Sequence, residues 1–279
     1  MVPFRILALG SGGSKGHLHI GALQELESRV GSLTKHFAKG IYGCSIGAII
    51  ATGIAFGLSI KQLDELSKKF ITYEAILGKI DLASISKAQS RKGIFEMDKF
   101  ETQILAAFDS EGIDLRGKYI DDSLIPLHII SSNLTKGIPT VFKKKVPLLP
   151  ALRASCCVPF LFRPQIFNGS VYIDGAFMTN VIHKLIPKEH QDETLSLSIT
   201  HTNPRISPSD IESMATTDFM YKLYKITCLY EHYNFQHPNI VRLCHAGGSG
   251  FVDKTDEDKE DMKLTGRCIM RSFLAKRSL

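Results

Sequence analysis

The chain has 279 residues, 44% hydrophobic and 22% charged, proportions that exclude a disordered or collagen-like architecture. That length exceeds the common domain size of about 100–200 residues, yet suits a single α/β domain, which often runs to about 200–250. A net charge of +6 is compatible with an anionic lipid surface, but is too small to argue by itself for nucleic acid.

In chain order, the first expected strand is the apolar run Arg5-Ile6-Leu7-Ala8-Leu9, and Met1–Leu9 is too short an apolar stretch for a signal peptide. It ends in the loop Gly10-Ser11-Gly12-Gly13-Ser14-Lys15-Gly16. Glycines after a strand let the backbone turn sharply, and N–H groups at the following helix start stabilise an anion. No nucleotide signature fits: Gly-Lys-Ser/Thr is absent, and GxGxxG misses by one position in each frame. A helix follows, with Ile20, Leu23 and Leu26 on one face, and breaks near Gly31. His17 and His19 form an HxH pair with no third ligand nearby, so His19 is read as packing and no metal is expected.

Gly40–Ile60 carries no charge and reaches the roughly 20 residues needed to cross a bilayer. It opens, however, on the strand-like Gly40-Ile41-Tyr42, turns at Gly43-Cys44-Ser45-Ile46-Gly47, and continues as a buried helix from about Ile46 to Phe56. Strand, helix, strand, helix is a βαβ pattern, which predicts a parallel sheet. The turn is a GxSxG, which at a strand-to-helix junction reads as a nucleophile elbow presenting Ser45. Cys44 is the rival nucleophile, but its position in such an elbow points inward, where thiols are inert packing. The two strands are joined by one crossover helix, so the N–H groups of Gly12 and Gly13 are expected beside Ser45. A serine with adjacent N–H donors is machinery for acyl transfer.

Lys61–Ile71 and Asp98–Phe108 are expected amphipathic helices joined by a polar stretch around Ser84–Lys92, an insertion that reads more readily as a surface helical pair than as a lid. Strands are expected at Leu127–Ser131, Thr140–Phe142, Val171–Ile173 and Leu195–Ile199. Asp174 ends the third of these and precedes Gly175. Two readings of the base stay open. His183, His190, His201, His232, His237 and His245 follow Asp174, so chain order permits a Ser–Asp–His triad. Alternatively Asp174 removes the proton directly, which requires burial to raise its pKa from about 3.9. From spacing alone a helix-capping Asp174 is as good a reading as a catalytic one.

In the last 80 residues, Phe219, Leu223, Ile226, Tyr230 and Tyr233 recur at helical spacing and are expected to be core. The acidic run Asp253–Asp261, followed by Arg267, Arg271, Lys276 and Arg277, suits a terminal helix and its dipole. A minority reading sets the basic end against anionic lipid. The six cysteines form no CxxC and read as reduced thiols of an intracellular, cytoplasmic protein, with peripheral contact at membranes open to it.

Taken together, three segments resemble the patatin-like phospholipase family. They are Gly12-Gly13-Ser14-Lys15-Gly16-His17-Leu18-His19-Ile20-Gly21-Ala22-Leu23, Gly43-Cys44-Ser45-Ile46-Gly47-Ala48 and Asp174-Gly175-Ala176. Leu152-Arg153-Ala154-Ser155-Cys156-Cys157-Val158-Pro159-Phe160 is similar to the family's stretch before its catalytic Asp, and Arg153 and Ser155 look structural there. The resemblance implies a three-layer α/β/α fold with a mainly parallel central sheet. It spans residues 5–186 as a catalytic core, and residues 187–279 would add a strand and helices completing the same domain.

Carried over to this chain, the resemblance implies a Ser45–Asp174 dyad and an oxyanion hole of Gly12, Gly13 and Ser14 N–H groups. Lys15, Gly16, Gly43, Gly47 and Gly175 would support the motifs, and no cofactor or metal is implied. The implied activity is hydrolysis of phospholipid or other glycerolipid esters through an acyl-enzyme, without nucleic acid. An acyltransferase using the same site and a silent lipid-binding protein are the alternatives. Ser11 departs from the family, which often has glycine there; it is tolerated unless that position needs a positive φ.

Overall fold

The structure, a computed structural model, describes residues 3–69, 76, 88, 90–201, 206–245 and 254–277. The strands are β1 Ile6–Leu9, β2 Gly40–Cys44, β3 Gly93–Phe95, β4 Leu127–Asn133, β5 Ile138–Phe142, β6 Phe160–Phe162, β7 Gln165–Phe167, β8 Ser170–Asp174, β9 Thr194–His201 and β10 Ile240–His245. The longer helices are α1 His17–Val30, α2 Ile46–Ala55, α3 Ile60–Lys69, α4 Asp98–Asp109, α5 Leu148–Cys156, α6 Thr216–Asn234 and α7 Asp256–Ala275.

The main sheet runs β10-β9-β1-β2-β4-β8-β7, with β5 also paired to β4. From β10 to β4 every pairing is parallel, and β8, β7 and β5 add antiparallel partners. Interior parallel strands are covered on both faces, which is why Ile6-Leu7-Ala8-Leu9 is apolar throughout and wholly buried. Alternation separates the two faces. Leu7, Leu9, Leu195, Leu197 and Ile199 join the large core with α1, α2, α5 and α7. Ile6, Ala8, Tyr42 and Cys44 join a smaller core with Ala176, Ile182 and Ile186. Ser196 and Ser198 also look to that second side, toward His183 and His232 of α6. The layers are therefore helix, sheet and a thinner cover of short turns and α6.

Local signals explain the element ends. Gly31 stops α1 with φ 72°. Thr255 and Asp258 form a reciprocal capping box that starts α7, whose first turn carries Asp256, Glu257 and Asp258. Lys263, 1% exposed, is fully paired by Asp64 (3.0 Å to each oxygen) and Glu260 (2.5 Å), tying α7 to α3.

The reading of Gly40–Ile60 as strand, turn and buried helix holds: it contains β2, the elbow and the ten-residue α2, and among the described residues no helix is long and apolar enough to cross a membrane. Other expectations are corrected. The pair α3 and α4 is not a surface decoration. Leu63, Leu66, Phe100, Ile104 and Phe108 are buried in the large core, because α3 packs on α2 and α4, and α4 packs in turn on α5. Most of the Ser84–Lys92 stretch lies outside the described residues, as do Phe70 and Ile71 at the end of the expected first helix.

The aromatic stripe of α6 is not core: Leu223, Tyr230 and Tyr233 are 44%, 71% and 66% exposed. That helix instead turns Glu231 and His232 toward the protein. The basic end of the chain is occupied internally, Arg267 on Gln24, Arg271 on Glu25, and Arg277 on Asn239 and the Pro238 carbonyl.

Candidate active site

Two strands meet end to end along one edge of β4. Ile129 and Ile130 pair with Gly43 and Cys44 of β2 on that edge, and with Phe142 and Val141 of β5 on the other. Beyond the end of β2 the same edge is taken by β8, running antiparallel, with Asp174 opposite Ser131. Cys44 and Asp174 thus face consecutive residues of β4, and the next residue after Cys44 is Ser45.

Ser45 has φ 56° and ψ −126°, a conformation that costs a non-glycine residue on the order of 1–3 kcal/mol. It begins α2 without spending its hydroxyl on a cap. Its N–H donates to Ser155 Oγ (2.9 Å), and that hydroxyl donates to the Ile130 carbonyl (2.6 Å). Ser155 is wholly buried and belongs to α5. Ser155→Ala would leave a buried N–H and a buried carbonyl unpaired, each worth about 1–3 kcal/mol. The expected result is a lower Tm by thermal melting together with a fall in turnover, because the same bond holds the strained elbow.

Asp174 is 4% exposed, and its Oδ1 accepts the Ala176 N–H at 2.9 Å. Burial pushes its carboxyl up from 3.8 to about 6, against the opposing pull of the neighbouring Ser45 side chain and of the Ala176 N–H. Ser131 and Ser132 brace the strand behind it. Ser131 Oγ donates to the Ala154 and Ile173 carbonyls, and Ser132 Oγ to those of Asp174 and Gly175. Gly175 lies against the Ile130 carbonyl and Cys44 Sγ, so Cys44 is buried under the turn and away from the cavity.

The glycine loop lies beside this pair because β1 and β2 are adjacent. It continues into a 3-10 turn, Gly13–Gly16, whose first bond runs from Lys15 N–H to the Gly12 carbonyl (3.1 Å). The N–H groups of Gly12, Gly13 and Ser14 precede that bond and have no partner within the turn. The residue needing positive φ is Gly13 (φ 55°), so a serine at position 11 is accommodated. His19 Nε2 contacts the Gly10 carbonyl at 2.9 Å, and Lys15 Nζ donates to the His245 carbonyl at 3.2 Å; both steady the loop.

Gly47 presses the two loops together. A Cβ there would overlap the Leu9 carbonyl oxygen and stand 2.6 Å from that of Gly10. Both obstacles are backbone, so Gly47→Ala is expected to destabilise by about 1–3 kcal/mol or more. Urea unfolding should show the midpoint shift.

An apolar cavity opens at Ser45. Ser14, Ile46, Ile49 and Ile50 line it, with Leu63 and Leu66 of α3, Phe100, Ile104 and Phe108 of α4, Val158, Leu161 and Phe162, and the cationic Lys254 and Lys259. The described histidines of the triad reading make other contacts: His183 with Ser196, His190 with Glu193, His232 with Asn180 and Ser198, His237 with Asp192, and His245 with Asp261. Sequence reasoning did not anticipate that Ser131 and Ser132 brace this site, or that Asn180 and His19 hold the glycine loop. The Ser-Ser-Asn end of an otherwise apolar β4 was the available signal for the first two.

A family model described as patatin-like phospholipase matches residues 7–185. An NTE family protein of Mycobacterium tuberculosis is 30% identical over 229 residues, covering 81% of this chain and 57% of that protein. A cUMP-AMP-activated phospholipase of Escherichia coli is 26% identical over 184 residues, covering 63% of this chain and 55% of it. The chain thus spans little more than half the length of these relatives. Among solved structures, VipD from Legionella pneumophila superposes with a TM-score of 0.58 at 14% identity, covering 98% of this chain and 67% of that one.

Proposed function

This chain belongs to the patatin-like phospholipase family, and on that premise we propose that it is a lipid acyl hydrolase of phospholipase A type, with Ser45 as nucleophile and Asp174 as its base. The observation that carries this reading is the register on β4, which sets the strained Ser45 beside the buried Asp174 carboxyl at the end of an apolar cavity.

In this reading Asp174 accepts the hydroxyl proton as Ser45 Oγ attacks the ester carbonyl, and the developing oxyanion is held by the N–H groups of Gly12, Gly13 and Ser14. The protonated Asp174 returns its proton to the departing alcohol, leaving the acyl group on Ser45. Water, deprotonated by Asp174, then releases the fatty acid. Leu63, Leu66, Phe100, Ile104 and Phe108 give the acyl chain an apolar wall. Phospholipid or another glycerolipid is the substrate class, met at a membrane surface.

The deciding experiment follows fatty-acid release from phospholipid vesicles, with peptide mass spectrometry after a fluorophosphonate probe. Release together with a single adduct on Ser45 is the expected result. An acyl product appearing only on an added alcohol acceptor would make the protein a transacylase instead, and lipid binding without either would make it a silent binder.

The base must be ionised to act. With the Asp174 carboxyl at about 6, the rate is expected to be half-maximal near that pH, fall about tenfold per pH unit below it, and level off above. A pH profile of kcat/KM with a midpoint near the unperturbed 3.8 would oppose the assignment.

A further inference from the structure

Ser11, the residue that departs from the family pattern, donates its hydroxyl to Asn180 Oδ1 at 3.0 Å. Asn180 follows Asp174 on the same connection and is 4% exposed. Its Nδ2 lies 3.3 Å from His232 Nε2, an imidazole that burial holds at about 4 and therefore neutral, so the ring nitrogen can accept. That fixes the amide with its oxygen toward Ser11. The Asn180 N–H donates to the Glu231 carboxylate at 2.5 Å, and Glu231 also accepts the Val181 N–H (3.2 Å), the Thr179 hydroxyl (3.0 Å) and Lys184 Nζ (3.0 Å). A carboxylate holding four donors, one of them charged, is a stiff anchor.

We infer that Asn180 is a positioning residue for the Gly12 and Gly13 N–H groups, acting through Ser11 and held in place by Glu231 and His232 of α6. The inference rests on the reading of those N–H groups as the oxyanion hole. The loop contains four glycines between positions 10 and 16, so its backbone has unusual freedom to lose. On one side it is fixed by the Gly10 N–H on the Leu197 carbonyl and by His19 on the Gly10 carbonyl. Ser11 supplies the tie toward the sheet's second face, immediately before the donors. An oxyanion hole works only when its donors stand about 2.7–3.1 Å from the charge that develops, so a looser loop costs the transition state rather than substrate binding. This also gives α6, which carries no recognisable motif, a task at the site.

The test uses the full chain with Ser11→Ala, Asn180→Ala, the double variant, and Ser11→Thr, which keeps the hydroxyl. Turnover of a soluble acyl ester and deuterium exchange of the peptide covering residues 10–16 are both read. Ser11→Ala and Asn180→Ala are each expected to lower kcat about tenfold with KM within about twofold, the size of one lost buried hydrogen bond. The double variant should be no worse than Asn180→Ala, Ser11→Thr should restore kcat, and exchange at 10–16 should quicken in step. Unchanged kcat with unchanged exchange would overturn the inference, as would additive losses in the double variant. So would a lowered Tm with full kcat per folded molecule. If the wild type hydrolyses no ester, the functional reading fails on its own, and exchange at residues 10–16 still decides the tether.

Discussion

Ser45→Ala is expected to reduce ester hydrolysis by roughly 10⁴–10⁶-fold, the range for a serine hydrolase stripped of its nucleophile, with the fold unchanged. The loss is so large because, in the proposed mechanism, the hydroxyl is itself the attacking group. It stands at the end of β2, beside the buried Asp174 on the edge of β4 and next to the glycine loop that follows β1. Alanine keeps the Cβ and leaves the Ser45 N–H bond to Ser155 intact, so α2 still starts where it does. Circular dichroism and Tm should match the wild type while vesicle hydrolysis and fluorophosphonate labelling vanish. Labelling that persisted on Cys44 or another serine would remove Ser45 from its role.

Asp174→Asn should separate activity from stability. Turnover is expected to fall on the order of 10³–10⁴-fold, as when a catalytic carboxylate becomes an amide that cannot take the proton. Stability should move the other way. The folded protein holds this carboxyl at about 6 rather than 3.8, because burial disfavours its charge. A raised acid contributes stability that is fully present below about 3.8 and is lost as pH rises through about 6. The interval corresponds to about 3 kcal/mol carried as a penalty at neutral pH. Asparagine removes that charge and still accepts the Ala176 N–H. The variant should therefore melt higher than the wild type by on the order of 5 °C at pH 7–8, with the difference shrinking toward pH 4. An equal difference at both pH values would mean that the carboxyl is not perturbed as described.

These two residues show how far a one-dimensional reading reaches. The GxSxG between an apolar strand and a buried helix located the elbow, and Ser45 is found there at φ 56°. Asp174 was equally readable as a cap, and it does cap, accepting the Ala176 N–H. What brings it to Ser45 is β4, whose edge carries β2 and β8 toward each other. No local pattern encodes that meeting, because it depends on the register of two separate pairings. The same holds for α6, where the apolar stripe suggested core and the buried contacts come from Glu231 and His232 instead. Helical spacing identifies an apolar face, but it does not say whether another element covers that face.

By itself the sequence determined the alternation of elements, the buried character of β1, β2 and α2, and the residue types able to attack, take a proton and donate to an anion. These follow from short-range chemistry: apolar runs must leave water, and glycines permit turns that other residues resist. The tertiary structure alone decided which of those groups meet. It set Ser45 against a carboxylate, placed Ser155 under the elbow, and surrounded the site with α3 and α4. The physical reason is that a hydrogen bond and a burial-shifted carboxyl both depend on distances of a few ångströms, and such distances exist only after distant segments have packed.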